Sequence, residues 1–433
     1  MTSTSRHVGV IALFFAGAVA WRTQAPLAHD AGWFLVVAGR VLDGAVLYRD
    51  IIEVNPPLGM WAALPIALTS RATGLDIVAA FTASVFVLTA ISLVLTHRVL
   101  IRAGLPYRTL TTIACLALLF IPGRDFGQRE HLLVILAMPW LFLRGVRLGG
   151  AAVSLRLSLV IGVLAALGFG MKVHALACPL AIEALFLVAT RDPRRSLSPE
   201  NLALILATVA HIAMVWVAAP LYFTEVIRLG VEAYLPYYHV PVADVAARTL
   251  LAALMASIML AFAGHCEFPI AQLSRVMAVA LIGFAGAYAV QAGFQYQFLP
   301  ATTVIAICMG ILLEAHRKAV LRYAASGIVA LHLAYAIAGS FAYNGAFFEQ
   351  AIAALRPDAR TFFIASTNVS HGFPLALKRN LIWTSRFPTQ WLAPYVAEHD
   401  PNGPISKMAL RAVVGDLVLG EPDIVFIDRR SKQ

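Results

Sequence analysis

The fold of this chain is decided by residues Leu27–Trp61, LAHDAGWFLVVAGRVLDGAVLYRDIIEVNPPLGMW, which follow a first apolar segment at Val8–Trp21. The stretch contains no apolar run of the roughly 20 residues that a helix needs to cross a bilayer. It carries acids and arginines, which are Asp30, Asp43, Asp50, Glu53, Arg40 and Arg49. Loops longer than about 12–15 residues are usually functional or disordered, and the aromatic and Pro-Pro content of this one indicates folding. We therefore predict a folded, functional loop outside the membrane.

The composition of the whole chain indicates a membrane protein. Of its 433 residues, 60% are hydrophobic and 13% are charged, whereas ordinary globular chains are about 45–50% apolar and about 25% charged. The apolar residues form long blocks, which favours a polytopic α-helical membrane protein over a soluble enzyme with a large core. The net charge of +10 falls mostly in short connections on alternate sides of these blocks, which is the positive-inside pattern and no sign of nucleic-acid binding. The four cysteines have no metal-binding spacing.

Hydropathy predicts eleven membrane spans, with the amino terminus inside and the carboxyl terminus outside. The first segment also fits a cleaved signal peptide, since Ala18-Val19-Ala20 resembles a cleavage site, but we favour its retention as an anchor for the loop. Pro56–Ser70 is predicted to be a helix along the outer interface. The predicted spans are Val8–Trp21, Ile77–Leu95, Leu110–Ile121, Leu132–Leu143, Leu157–Gly170, Ala175–Ala189, Leu202–Pro220, Thr249–Ala263, Val276–Val290, Ala301–Leu313 and Tyr323–Phe341.

The predicted domain organisation has two parts. Residues 1–343 form a transmembrane domain whose outer catalytic loop is 22–72, and residues 344–433 form an extracytoplasmic domain. In the second part, Thr361–Ser366 and Asp423–Asp428 are short apolar runs rich in β-formers, which predicts two buried strands and a small α/β cap. Leu221–Arg248 is predicted to be a second long outer loop, rich in aromatic residues.

Asp30 is the candidate catalytic residue. Transfer of a group onto a hydroxyl or amine requires removal of a proton, and a carboxylate at the bilayer edge can act as the base. The structural alternative is an N-cap, because Asp30 immediately precedes the apolar run Ala31–Ala38 and Asp is a favoured cap. The two roles are compatible.

Cationic side chains occur in several of the predicted outer loops. The positive-inside rule places Lys and Arg mainly in cytoplasmic loops, so their presence outside indicates a specific role. Arginine binds phosphate through two hydrogen bonds, and lysine binds it as a point charge. The structural alternatives are an Arg49 pair with Asp50 or Glu53, and snorkelling of Lys172 to the interface. The outer cations are Arg49, Arg124, Arg129, Lys172, His174 and His239.

Other polar and aromatic residues at outer helix ends are candidates for contact with a substrate. His131 is either a substrate contact or an interface residue at the start of a span, and Tyr296 is either a contact or part of an aromatic belt. Gln297 is a candidate hydrogen-bond partner, and the aromatic loop Tyr234–His239 suits either sugar rings or lipid headgroups. No nucleotide-binding motif occurs, so a donor already in the membrane fits better than a nucleotide sugar.

The run from Asp30 to Leu58, D-x-G-x7-R-x3-G-x3-Y-R-D-x5-P-P-L, resembles the first outer loop of GT-C glycosyltransferases of the protein-mannosyltransferase and lipid A aminoarabinose-transferase type. Gly127–His131 (GQREH) and Gly170–His174 (GMKVH) also resemble that group. The resemblance implies that Asp30 is the loop acid and that Tyr48, Arg49 and Lys172 face the donor phosphate. Ala31 follows Asp30 where many relatives carry a second acid, so a family-style metal site is not implied.

The expected function is that of an inverting, polyprenyl-phosphate-dependent glycosyltransferase in a bacterial inner membrane, which acts on an extracytoplasmic lipid, polysaccharide or protein acceptor. The resemblance implies this donor and location; a divalent metal ion is left open. A transporter or flippase of a lipid-linked glycan is the alternative. The candidate donor-phosphate residues are Lys172, Arg129, Arg49, Tyr48 and His174, and the candidate substrate-binding residues are Asp50, Glu53, His131, Tyr296 and Gln297.

Overall fold

The computed structural model describes residues 3–315, 330, 334–399 and 401–428. The chain is mostly helical, with a small parallel sheet near the carboxyl terminus, as the sequence predicts at this coarse level. The longer helices are α1 (Ser3–Arg22), α2 (His29–Leu42), α3 (Leu58–Thr73), α4 (Ile77–Arg102), α5 (Tyr107–Phe120), α6 (Arg129–Leu148), α7 (Leu155–Gly170), α8 (Ala177–Thr190), α9 (Pro199–Ala218), α10 (Val242–Ala263), α11 (Phe268–Gln291), α12 (Leu299–Ala315), α13 (Ala346–Leu355) and α14 (Pro404–Gly420).

Among the described residues, seven helical segments are long and apolar enough to cross a membrane, which supports a membrane protein but not the predicted number of eleven spans. The helices at two predicted spans, α5 and α7, are apolar but shorter. About half of the last predicted span, Tyr323–Phe341, lies outside the described residues. The seven segments are Ile77–Arg102, Arg129–Leu148, Val173–Thr190, Pro199–Ala218, Val242–Ala263, Phe268–Gln291 and Gln295–Glu314.

The segment Leu221–Arg248, predicted to be a long outer loop, is mostly helical. Tyr222–Val226 and Gly230–Tyr234 form π-helical turns, and α10 begins at Val242. Buried Val226, Leu229 and Ala233 are spaced by three and four residues, a helical spacing that the aromatic content of the segment obscures.

The connection between the predicted spans Thr249–Ala263 and Val276–Val290 is also shorter than expected. Helix α11 already begins at Phe268, with a proline in its first turn that favours a helix start.

The described chain forms two compact units. The first contains Met1–Ala25, Ala83–Ile212 and Val240–Phe341. Its helix α6 is buried along almost its whole length and packs against α7 and α11. Close approach depends on glycines: a Cβ on Gly168 would lie 2.9 Å from the Leu133 carbonyl oxygen. Small residues at such contacts are typical of helix packing in membranes.

A buried ion network joins α6, α8 and α9 within this first unit. Arg144, whose side chain is fully buried, contacts Glu183 at 2.8 Å and Glu200 at 3.1 Å. Its guanidinium lies 3.6 Å from the centre of the Phe186 ring. Arg147 also contacts Glu200, at 3.2 Å. Buried charges of this kind are tolerated because they pair with one another.

The second unit contains Pro26–Thr82, Ala213–His239 and Ala342–Gln433. Its last segment begins within two residues of the predicted boundary at 344, but the unit also includes the first loop and the aromatic segment. Three parallel strands, β1 (Thr361–Ala365), β2 (Ile382–Trp383) and β3 (Ile424–Ile427), lie in the order β2-β1-β3. The strands predicted at Thr361–Ser366 and Asp423–Asp428 are therefore present, whereas the short β2 was not predicted.

Candidate functional site

Asp30 lies in the first turn of α2, in the second unit. The helix begins at His29 and its N-cap is Ala28, with no side-chain cap, so the prediction of Asp30 as an N-cap is wrong in detail. A carboxylate in the first turn still interacts favourably with the positive end of the helix dipole. The Asp30 side chain is 15% exposed and lies 3.4 Å from the His29 imidazole.

The connection after α2 is held by a buried acid. Glu53 is 2% exposed. Its carboxylate accepts hydrogen bonds from Trp33 Nε1 at 2.6 Å, from the Asn55 amide group at 2.6 Å and from the Asn55 backbone N–H at 3.0 Å. These bonds join the loop to α2, three residues after Asp30. The prediction that Glu53 contacts substrate is therefore not supported, because its carboxylate is committed to the loop itself.

Arg40 and Arg49 have different roles in this loop. Arg40, near the end of α2, donates to the Ser385 carbonyl at 2.8 Å and to the Asp50 carbonyl at 3.1 Å. Arg49 instead forms a two-pronged ion pair with Asp50, with contacts of 2.8 and 3.1 Å. This hydrogen bonding, together with the Val46 N–H, lowers the pKa of Asp50 to about 2. Both side chains are substantially exposed, so the pair is weak and exchangeable.

Tyr48, a predicted phosphate contact, is buried and has a left-handed backbone, with φ of 70°. Its hydroxyl donates to the Asn55 carbonyl at 2.7 Å. The hydroxyl hydrogen is therefore directed to the backbone, so donation to a phosphate is not supported. Together with Glu53, it shapes the turn that enters α3.

The aromatic residues of the segment Tyr234–His239 pack within the second unit. Tyr234 and Tyr238 stack with ring centres 4.7 Å apart, and the Tyr238 hydroxyl donates to the Trp391 carbonyl at 3.1 Å. Tyr237 lies edge-on to Tyr395. Neither predicted role, sugar stacking or headgroup contact, is needed to account for these three tyrosines.

The first unit contains a second group of predicted site residues, which we call the Lys172 cluster: Arg129, Glu130, Lys172 and His174. Lys172 lies in the turn between α7 and α8, and its ammonium group contacts the Glu130 carboxylate at 2.9 Å. Lys172 is 4% exposed and Arg129 is 3% exposed, so snorkelling to the interface does not describe Lys172. Both cations act electrostatically on His174. The cluster thus brings two cations and one acid together at one end of α6.

Three further predicted contacts are used in local structure. The ring nitrogens of His131 bind the Gly127 N–H at 2.9 Å and the Leu118 carbonyl at 2.7 Å. The side-chain oxygen of Gln297 accepts from the Gly293 N–H at 3.0 Å. Tyr296 stacks on a neighbouring phenylalanine. These geometries stabilise turns and give no direct support to substrate contacts.

Several residues of evident structural importance were not singled out from the sequence. Trp33 and Arg40 lie inside the quoted motif, but their partners are 20 and 345 residues away along the chain. Ser366, His371 and Asp428 form a hydrogen-bonded group at the end of the small sheet. Polar residues directly after two apolar strands were the available signal. In the described part of the chain, no group of three His, Cys, Asp or Glu side chains is placed to hold a metal ion.

Comparison with known proteins adds no family to this picture: no family model matches the chain, and no curated protein matches its sequence significantly.

Proposed function

We propose that the chain is a membrane glycosyltransferase that moves a sugar from a polyprenyl-phosphate donor to an extracytoplasmic acceptor. The observation that carries the proposal is the Lys172 cluster, in which a lysine at a turn between apolar helices and an arginine at the start of α6 are both buried. Burial strengthens their interaction with an anion. A phosphate group on a lipid, presented at the membrane surface, is the ligand that such a cluster suits.

The proposed reaction uses Asp30 as the general base. The acceptor hydroxyl attacks the anomeric carbon while its proton passes to the Asp30 carboxylate. The anomeric carbon–oxygen bond breaks, and the polyprenyl phosphate leaves with the bonding electrons, which inverts the configuration. The partial exposure of Asp30 and its position on a regular helix support this role. Glu53, through Trp33, positions the helix that carries the base.

The proposal also includes location and partners. The catalytic face is extracytoplasmic, the membrane is a bacterial inner membrane, and the acceptor is an envelope lipid, polysaccharide or protein. Arg49 is exposed, and its ion pair in the described part of the chain is with its neighbour Asp50, so an anion can compete for it at small cost.

The test compares envelope glycans by mass spectrometry in a null strain carrying the intact protein, Asp30→Asn or Asp43→Asn. Asp43 is the matched control because it lies just after the same helix and pairs with Arg71 on the surface. We expect a sugar mass to be absent in the null strain, restored by the intact protein and by Asp43→Asn, and missing with Asp30→Asn at equal expression. Restoration of the sugar mass by Asp30→Asn would show that Asp30 is not the base and would contradict the proposed mechanism.

A transporter of a lipid-linked glycan is the second candidate, and one observation favours it. Transporters place ionisable residues within their spans. In the first unit Arg144 and Glu200 are buried, and Glu183, which pairs with Arg144, lies near the middle of a candidate span. If the donor lipid accumulates on one leaflet in the null strain and Asp30→Asn corrects it, this candidate replaces the transferase.

A further inference from the structure

The small sheet has a topology that creates a binding position. The chain passes from central β1 to β2 on one side, and then crosses to β3 on the other side. In open parallel sheets, ligands bind outside the carboxyl ends of strands at such a reversal. Ser366 directly follows β1, and Asp428 directly follows β3. His371 ends the short 3-10 turn Val369–His371 that comes after β1.

The three side chains form one hydrogen-bonded group, here called the Ser366 group: Ser366, His371 and Asp428. The Ser366 hydroxyl donates to Asp428 Oδ2 at 3.0 Å and accepts from the Asn368 N–H at 3.1 Å. His371 Nδ1 lies 3.1 Å from the Ser366 hydroxyl oxygen. Because the single hydroxyl hydrogen is used on the carboxylate, the hydrogen between Ser366 and His371 belongs to Nδ1.

This arrangement leaves His371 Nε2 as an acceptor. With the proton on Nδ1, the other ring nitrogen carries a lone pair, and it makes no hydrogen bond to a described residue. Burial lowers the pKa of His371, an effect that Asp428 partly opposes, so the ring is neutral at physiological pH. The His371 side chain is 19% exposed, and therefore reachable.

The surroundings of His371 combine an aromatic wall with a polar rim. The Phe348 ring centre lies 4.9 Å from that of His371, and Phe348 packs in turn on Phe426. On the rim, Asn344 donates to the Ser370 hydroxyl at 2.8 Å, and Ser370 donates to the Asn368 side chain at 2.7 Å. Exposed amides and hydroxyls beside an aromatic ring are groups that bind neutral polyhydroxyl ligands.

We propose that the Ser366 group is a binding subsite for a neutral sugar, whose hydroxyl donates a hydrogen bond to His371 Nε2. The inference rests on the proposed function, because the sugar is taken to be part of the glycan acceptor. A phosphate or carboxylate ligand fits poorly, since it would meet the Asp428 carboxylate and a lone pair. If the group only joined the ends of β1 and β3, Ser366 and Asp428 would be enough. That role does not account for the position of His371.

The experiment is saturation-transfer NMR on the full chain in lipid nanodiscs. The probes are glucose, galactose, mannose, arabinose and N-acetylglucosamine, each added alone in metal-free buffer. His371→Phe keeps a ring against Phe348 but removes the acceptor, and His371→Gln returns an acceptor atom. His399→Phe is the matched control, because His399 is an exposed histidine beside the Tyr395 ring in the same unit.

We expect at least one probe to receive saturation from the wild type and from His399→Phe. The affinity should fall on the order of fivefold in His371→Phe, as for loss of one hydrogen bond, and recover partly in His371→Gln. Equal binding by His371→Phe, no binding of any probe by the wild type, or binding that appears only after zinc is added would each overturn the subsite.

Asp30→Asn, added to this NMR series, separates this inference from the proposed function when transfer by each variant is read from the envelope glycans. Asp30→Asn should bind the probe as the wild type does while transfer is lost. If Asp30→Asn retains transfer and His371→Phe no longer binds the sugar probe, the mechanism fails and the subsite stands. If Asp30→Asn loses transfer and His371→Phe binds normally, the mechanism stands and the subsite fails.

Discussion

At the residue scale, the first loop shows how carboxylates close in sequence acquire different roles. Asp50 is exposed and paired with its neighbour Arg49, whereas Glu53 is buried and accepts from Trp33 and Asn55. A buried carboxylate with three donors is a structural anchor, because leaving it without partners would be costly. Asp30, by contrast, lies in the first turn of α2 and keeps partial exposure, as the proposed base requires.

Replacement of Trp33 tests the anchor. Trp33→Phe keeps an aromatic ring but removes the donor to Glu53, so we expect about 1–3 kcal/mol less stability in thermal unfolding of the purified protein. In a Glu53→Gln background the same substitution should cost less, because the charged acceptor is already gone. Additive costs in the two backgrounds would show that the Trp33–Glu53 bond contributes nothing.

His371 predicts a pH dependence of stability. Burial lowers its folded-state pKa below the usual 6.5, so the folded state favours the neutral ring. The stability of the folded state is therefore unaffected by this histidine above about pH 6.5, where the unfolded histidine is also neutral. Stability is lost as the pH falls towards the folded-state pKa, because the unfolded histidine takes up a proton first. We expect His371→Phe to lose less thermal stability than the wild type between about pH 7.5 and about pH 5.5. An identical loss in the two proteins would contradict this.

At the element scale, glycines set how closely the helices of the first unit approach. A Cβ on Gly283 of α11 would lie 2.5 Å from the Cα of Cys178, whereas a Cβ on Gly286 of the same helix would meet nothing within 4 Å. The first glycine is thus required by a neighbouring helix, and the second is not. This contrast between two positions one turn apart provides its own control.

We therefore expect opposite results from alanine at these positions. Gly283→Ala should lower the thermal stability by forcing α8 and α11 apart, at a cost of about 1–3 kcal/mol. Gly286→Ala should leave it unchanged or raise it by up to about 1 kcal/mol, since alanine favours helix. The measurement is thermal unfolding of the two variants in the same detergent, and equal stability of the two would contradict the packing described.

The buried ion network predicts a large effect at the same scale. Arg144→Gln removes the cation shared by Glu183 and Glu200 and should cost about 3–5 kcal/mol, because it leaves the buried Glu200 carboxylate poorly compensated. Arg228→Gln, which breaks an exposed pair with Glu225, should cost under about 1 kcal/mol. The comparison is made by folded yield and thermal unfolding, and similar losses in both variants would argue against the network.

At the scale of the whole molecule, the second unit unites three segments that are distant in the sequence. Pro26–Thr82 carries Asp30, Ala213–His239 carries the packed tyrosines, and Ala342–Gln433 carries the sheet. Leu229 and Ala233 share a hydrophobic cluster with Phe387 and Trp391. The predicted aromatic loop is therefore part of a core, which explains why its tyrosines do not face outward as a group.

The sequence by itself determined the helical membrane character and the strands β1 and β3, because apolar periodicity and block length are local properties of the chain. It also indicated that the charged loop Leu27–Trp61 is folded. Only the tertiary structure decided how its polar groups pair: Glu53 with Trp33, Arg40 with Ser385, and Lys172 with Glu130. Such partners come from separate elements, so their choice depends on packing, and packing also brings Ser366, His371 and Asp428 together at one edge of the sheet.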